Sequence, residues 1–394
     1  MQQNSDKINV AILTSSNSRN GGGVSEVITQ LSNVMKDEIK DYCVVSYCDE
    51  FSASDLKKYD GVKMYFYKKS NIPLLSKIGY SNNLKQIINK IAPNIIDCQG
   101  LWMYFSFIAL NYKLKHKAKI VITPHGMLDE WAVKNSRWRK KIIGYLYEYK
   151  NLRNANCIKA LCKPEYESIR KFGLKNPIAI IPNGINLPAD FNYERKTCKK
   201  TLLYIGRIHP KKGLKELIEA IALVKKQKPD LLLNWHVRIA GWDQLDHSKE
   251  LTKLTAEKGL DDTIEFIGPV FDEKKKHELC EANAFALTSY SEGFPMSILE
   301  AWSYRLPVIM TDNCNIPEGF KYNAAIRVEL SPNSIAKGLM TLFQMHDSEL
   351  KSMGNNGYNL VKEQYTWEIV AKKTKELYQW LTDEGEKPDF VITE

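Results

Sequence analysis

The sequence is most chemically pointed where two fixed cations lie between glycines. Gly206-Arg207-Ile208-His209-Pro210-Lys211-Lys212-Gly213 follows the apolar run Leu202–Ile205 and leads into a helical pattern. Arg207 offers a planar fork of donors and Lys212 a point charge, so the two can clamp a diphosphate near a helix N-terminus. A basic surface loop is the plainer alternative. Downstream, Glu292-Gly293-Phe294-Pro295-Met296-Ser297-Ile298-Leu299-Glu300 follows the run Phe285–Thr288. Pro295 suits the first turn of a helix. Glu292 then lies in the loop before that helix and Glu300 deeper within it. A carboxylate in the second position can accept both hydroxyls of a ribose. The loop carboxylate, with nearby backbone amides, can face a sugar. The alternative is a helix-capping acid plus a solvated one.

Two further stretches follow strand-like runs in the first half. Gly21, Gly22 and Gly23 come after Ile8–Leu13 and open a helical segment from about Val24 to Met35. Glycines let a backbone approach a phosphate, and the free N–H groups of a helix start favour the anion. A flexible turn would use the same residues. Pro124-His125-Gly126 follows Ile120–Thr123, which places an imidazole at a strand's carboxyl end. A structural histidine is the competing reading.

The elements that must position these residues alternate along the whole chain. Strand candidates are Ile8–Leu13, Cys43–Ser46, Val62–Phe66, Ile95–Cys98, Ile120–Thr123, Cys157–Ala160 and Ile178–Ile181, then Leu202–Ile205, Trp235–Ala240, Ile264–Ile267, Phe285–Thr288 and Val308–Met310. Helical patterns separate them. Leu214, Leu217, Ile218, Ile221 and Ala222 follow the helical spacing. Such alternation implies parallel sheets covered by helices on both faces. A polar stretch, 186–200, divides the pattern into two units of similar size. The expected fold is α/β, with two doubly wound, Rossmann-like domains facing each other across a cleft. Ligands of such sheets bind beyond the carboxyl ends of the strands.

Composition narrows the classes further. Hydrophobic residues make up 44% and charged residues 26%, which excludes a disordered tail, a collagen-like rod and a disulfide mini-protein. The net charge is +10 and uneven. Residues 1–185 hold 28 basic and 15 acidic residues; the remainder holds 28 and 31. The basic half suits an anionic partner: nucleic acid, lipid headgroups or a phosphorylated substrate. A merely solvated lysine-rich surface is the bland alternative. None of the eight cysteines forms a C-x-x-C pair or has zinc-ligand spacing, so they read as reduced thiols of a cytosolic protein. Met1 to Asp6 lacks a signal-peptide core, and Leu101–Leu110 is too short to span a bilayer.

Taken together, the motifs resemble the retaining glycosyltransferases of family 4, which have the GT-B fold. The matching pieces are the glycines at 21–23, His125-Gly126, Pro182-Asn183-Gly184-Ile185, Gly206-Arg207 with Lys212-Gly213, Phe266-Ile267-Gly268-Pro269-Val270, and Glu292 with Glu300. They occur in the family's order, and Tyr365-Thr366-Trp367 looks like the start of its C-terminal helix. The resemblance implies an acceptor-binding domain over 1–188 and a nucleotide-sugar-binding domain over 189–365. A helix over 366–382 would cross back to the first domain, with a flexible tail at 383–394.

By this resemblance the donor is a UDP- or GDP-sugar. Gly206, Arg207 and Lys212 would hold its diphosphate and Glu300 its ribose. Glu292, with the backbone amides of Gly293 and Phe294, would contact the sugar, and Pro295 would line the donor site. Gly22 and Gly23 would approach the diphosphate from the first domain. His125 would sit beside the reacting sugar. Arg207, Lys212, His125 and Glu292 are thus the catalytic candidates. The implied chemistry is a hexosyl transfer with retention and without a metal or other cofactor. The implied acceptor is a hydroxyl of an envelope glycan such as lipopolysaccharide, capsule or exopolysaccharide, which could be lipid-linked. The alternative enzyme class is a non-hydrolysing nucleotide-sugar 2-epimerase. Nothing resembles a nucleic-acid module.

After Val308–Met310 many members carry a glycine-rich stretch; here stands Thr311-Asp312-Asn313-Cys314-Asn315-Ile316-Pro317-Glu318. The segment from Trp131 to Arg153 is aromatic and basic. Trp138, Ile142, Tyr145, Leu146 and Tyr149 form one helical stripe, with Arg137, Lys140 and Lys141 off it. It suits either peripheral contact with an anionic membrane on the cytoplasmic side or a core-facing helix.

Overall fold

The computed structural model describes residues 8–129, 133, 137–189, 199–243 and 245–393. The chain forms two compact units. The first comprises Met1–Gly184 with Trp367–Glu394, and the second Ile185–Thr366.

The first unit is built on strands β1 (Asn9–Thr14), β2 (Asp41–Tyr47), β3 (Lys63–Tyr67), β4 (Ile95–Gln99), β5 (Lys119–Thr123), β6 (Cys157–Ala160) and β7 (Ile178–Ile180). The sheet order is β7-β6-β5-β4-β1-β2-β3, and these strands pair in parallel. Alternate residues of β1 enter two cores. Ala11 and Leu13 pack on one face, and Val10 and Ile12 on the other. Both faces are apolar because helices cover both. The chain winds outward from β1 through β2 and β3, then resumes at β4 on β1's other side. The loops after β1 and β4 therefore diverge at the point where a doubly wound sheet takes its ligand.

The second unit repeats this plan with β8 (Lys200–Ile205), β9 (Trp235–Ala240), β10 (Ile264–Gly268), β11 (Ala284–Leu287), β12 (Val308–Thr311) and β13 (Ala325–Val328). Its order is β10-β9-β8-β11-β12-β13. The switch point lies between β8 and β11, so the two motif-bearing loops start side by side. Trp235, Tyr204, Phe285 and Trp302 are its largest fully buried side chains.

Three expectations need correction. The tail at 383–394 is not loose. Residues Val391–Ile392 form β14, which pairs antiparallel with β7 through Val391↔Ala179 and Ile392↔Ile178. Val391 is buried, so an apolar side chain and an otherwise open sheet edge hold the chain end in place. Strand β13 was not anticipated, because its four residues, Ala-Ile-Arg-Val, show no clear alternation and lie at a sheet edge.

The aromatic segment is not one continuous stripe. Residues 131–132 and 134–136 of it lie outside the described residues. Helix Arg137–Ile143 runs into a π-helical turn, Gly144–Glu148, and then into helix Tyr149–Asn154. The wider turn shifts the helical phase. Trp138, Ile142, Tyr145 and Leu146 are left 64%, 52%, 82% and 72% exposed. Tyr149 instead turns inward, edge-on to Trp102 with ring centroids 6.2 Å apart.

The same turn buries Glu148. It accepts from the backbone N–H of Trp102 (2.7 Å) and from Asn151 Nδ2 (3.2 Å). Burial outweighs these bonds and pushes its carboxyl up to about 7. A carboxyl raised in the folded state binds its proton more tightly there than in the unfolded chain. It therefore costs stability as pH rises from about 4.5 to about 7, up to about 3 kcal/mol. Glu148→Gln removes that cost. Asn151 Oδ1 has no partner and can turn to accept from the new amide. The melting temperature of the variant relative to wild type should rise between pH 5 and pH 8. A difference that stays flat with pH would contradict this account.

Candidate functional site

In the second unit, three loops meet beyond the strand ends. The first follows β8. His209 Nδ1 accepts from the Lys211 N–H (3.0 Å) and starts a tight turn, Pro210–Lys212, that Gly213 ends with φ +67°. Tyr204 donates its hydroxyl to the Arg207 carbonyl (2.8 Å), which holds the start of the loop from beneath. Arg207 itself is exposed.

The second loop follows β11 and is fastened to the first. Tyr290 N–H donates to Lys211 O (2.8 Å), and Thr288 Oγ1 to Gly213 O (3.0 Å). These ties bring Lys212 Nζ to 2.6 Å from Glu292 Oε1. The two side chains are only 14% and 12% exposed. Ser289 Oγ also donates to Glu292. The two charges least exposed to water in this region thus face each other across the switch point.

The third loop, after β12, shows what stands in place of a glycine-rich stretch. Glu292 N–H donates to Asn313 O (3.0 Å), and Asn315 Nδ2 donates back to Glu292 O. Asn315 adopts φ +62°, a backbone state that asparagine tolerates better than most residues. Its amide clasps the backbone of Glu292, while Thr311 Oγ1 donates to Ser289 O (2.8 Å).

Phe294 lies 5.9 Å from the ring of Tyr365, and Pro295 stands at the cap of helix Met296–Ser303, one residue outside its first turn. Glu300 lies in that helix. Its Oε1 meets Lys275 Nζ at 2.7 Å. Sequence reasoning missed Lys275, because in the run Lys274-Lys275-Lys276 nothing marks the middle residue. It missed Asn313 and Asn315 because each acts through a contact distant in sequence, and Ser289 because an ordinary serine three residues before Glu292 carries no signal of its own.

The first unit holds the other candidates. Gly22 has φ +57° and begins helix Gly22–Glu38. A Cβ built on Gly22 or Gly23 would meet nothing within 4 Å, so there is open space before the helix start. His125, at φ +52°, follows β5. Its Nε2 lies 2.8 Å from Gln99 Oε1. Glu165 pins the neighbouring backbone by accepting from Gly126 N–H (2.6 Å) and Leu161 N–H (2.7 Å). Burial, aided by the Lys159 cation, lowers the imidazole to about 3, so His125 is neutral at physiological pH. Among the described residues no cluster of three or more His, Cys, Asp or Glu side chains is arranged to hold a metal ion.

Comparison with known proteins covers both units. Residues 21–188 match the model of Glycosyltransferase Family 4, and residues 188–360 match Glycosyl transferases group 1. The chain is 29% identical to one component of human phosphatidylinositol N-acetylglucosaminyltransferase over 54% of its own length, and the match spans only 43% of that relative. It is 23% identical to the GDP-mannose:cellobiosyl-diphosphopolyprenol alpha-mannosyltransferase of Komagataeibacter xylinus, over 73% of this chain and 71% of that protein. The solved structure of HepE from Anabaena with UDP and glucose superposes with a TM-score of 0.72 at 15% identity, over 95% of this chain and all of that one. With two parallel-sheet units and a family match across each, the chain belongs to the group 1, family 4 glycosyltransferases of the GT-B fold.

Proposed function

We propose that the protein moves a hexose-type sugar from a UDP- or GDP-sugar to a hydroxyl of a lipid-carried envelope glycan. The proposed transfer retains the anomeric configuration and uses no metal ion. The observation that carries this reading is the Lys212–Glu292 pair, fixed by three loops at the switch point of the second sheet, with Arg207 in the same loop as the lysine. A cation already aligned there needs no reorganisation when negative charge develops on a departing diphosphate. As the diphosphate draws Lys212, Glu292 is released toward the sugar's hydroxyls. Glu300 takes the ribose hydroxyls in exchange for part of its contact with Lys275. Gly206, Gly293, Phe294 and Pro295 are assigned to the donor's surroundings. Gly22, Gly23 and His125, from the first unit, are assigned to its phosphate and sugar.

The named relatives support the donor and acceptor classes. One is described as using GDP-mannose and a diphosphopolyprenol-linked glycan, and another is solved with UDP and glucose. Proton NMR of the reaction provides the test. Donor consumption that requires a glycan acceptor and yields a product with the donor's anomeric configuration is expected. Epimerisation of the donor without any acceptor would replace this reading with the epimerase alternative.

A lipid-carried acceptor also gives the aromatic segment a use. Exposed Trp138, Ile142, Tyr145 and Leu146 stand beside Arg139, Lys140 and Lys141, with the Arg139 guanidinium 5.1 Å from the Trp138 ring. No helix among the described residues is long and apolar enough to cross a membrane. Apolar burial combined with basic charge is what holds a surface helix on an anionic bilayer. Vesicles rich in phosphatidylglycerol should pellet the protein at low salt. Trp138→Ser with Leu146→Ser should weaken that binding at least about tenfold. Wild type that stays in the supernatant would sink the membrane reading.

A further inference from the structure

Four side chains of the first unit form one buried line that ends on His125. Tyr378, on the C-terminal helix Trp367–Leu381, donates its hydroxyl to Asp97 Oδ2 (2.7 Å). Asp97 Oδ1 accepts from Gln99 Nε2 (2.6 Å), and Gln99 Oε1 faces His125 Nε2 (2.8 Å). Asp97 and Tyr378 are fully buried, and Gln99 nearly so.

We propose that this chain locks His125 in one tautomer, with its proton on Nε2, so that Nδ1 offers a lone pair to a hydroxyl of the bound sugar. With Asp97 Oδ1 unprotonated, the direction of each bond leads to this result. Oδ1 of the ionised Asp97 carboxylate can only accept, so the Gln99 amide turns its NH2 group to it. The Gln99 carbonyl oxygen is then left for His125, and an oxygen there requires an N–H on Nε2. A neutral imidazole with its proton on Nε2 has only an acceptor on Nδ1. Burial favours protonating Asp97, opposed by Lys159, Tyr378 and Gln99. A proton taken up at Oδ2 would be offered to the Tyr378 oxygen. Oδ1 would still accept from Gln99, so the order of the chain survives. Gln99 is thus a positioning residue, and Asp97 and Tyr378 fix its amide.

The role in transfer rests on the glycosyltransferase reading, but the tautomer does not. The test is nitrogen-15 NMR of the full chain labelled in its seven histidines, with His125→Gln used to assign the signal. The expected spectrum shows one tautomer, protonated at Nε2. A proton on Nδ1, or a mixture, overturns the proposal. Gln99→Met keeps the side-chain length and removes both bonds; it should leave a mixture and lower kcat/KM roughly tenfold. Asp97→Leu with Tyr378→Phe removes the far end while keeping apolar bulk, and should also yield a mixture. An unchanged tautomer in either variant overturns the chain. Because the spectrum needs no donor or acceptor, failure to find sugar transfer would strike the functional reading and leave the tautomer result standing.

Discussion

Arg207→Ala and Lys212→Ala should each lower turnover by roughly 100-fold or more. Bond cleavage at the anomeric carbon leaves a diphosphate that gains negative charge in the transition state. In the proposed transfer, the two cations in the loop after β8 meet that charge. The variants differ in what else they disturb. Arg207 is exposed, so its loss should leave the melting temperature nearly unchanged. Lys212 is the partner of a carboxylate only 12% exposed, and its loss leaves that charge with Ser289 alone. Lys212→Ala should therefore also lower the melting temperature. Steady-state kinetics beside thermal unfolding separates the two. Unchanged turnover in either variant removes that residue from the mechanism.

Gly213→Ala should unsettle the site through the backbone alone. Gly213 sits at φ +67°, where a side chain costs about 1–2 kcal/mol. A Cβ there would also collide with the carbonyl oxygen of Thr288, the residue that donates back to Gly213 O. The loops after β8 and β11 touch at this position with no space between them. The expected loss is at least about 2 kcal/mol, or roughly 5 °C in melting temperature, with weaker nucleotide binding as the loops part. Gly259→Ala, just past helix His247–Glu257, is the control. It shares the positive φ but meets nothing within 4 Å, so it should cost less. Equal melting temperatures for wild type and Gly213→Ala would contradict this packing account.

The sheets were the most legible part of the sequence. Strands such as Asn9–Thr14 are buried on both faces, and their continuous apolar runs separate cleanly from helical spacing. Residues at strand ends followed from the same logic: once β8 and β11 are placed, Arg207, Lys212 and Glu292 must lie beyond them. What the sequence did not yield depends on contacts between distant residues. Nothing local marks Asn315 as the clasp on Glu292, or Lys275 as the partner of Glu300. Gln99 and Asp97 read as ordinary residues of an apolar strand until His125 and Tyr378 are brought to them. The stripe from Trp138 to Tyr149 misled for a different reason. Helical spacing assumes a constant turn, and the π-turn at Gly144–Glu148 breaks that assumption.

The second unit is proposed to grip a nucleoside diphosphate sugar with Arg207 and Lys212. The most direct measurement is thermal unfolding of the full chain against a panel of nucleotides and nucleotide sugars, repeated with Arg207→Ala. A ligand at 100 times its dissociation constant adds about 2.7 kcal/mol. A rise with UDP or GDP, a larger rise with one sugar conjugate, and loss of both in Arg207→Ala are predicted. No rise with any nucleotide, or an equal rise in the variant, would contradict the account.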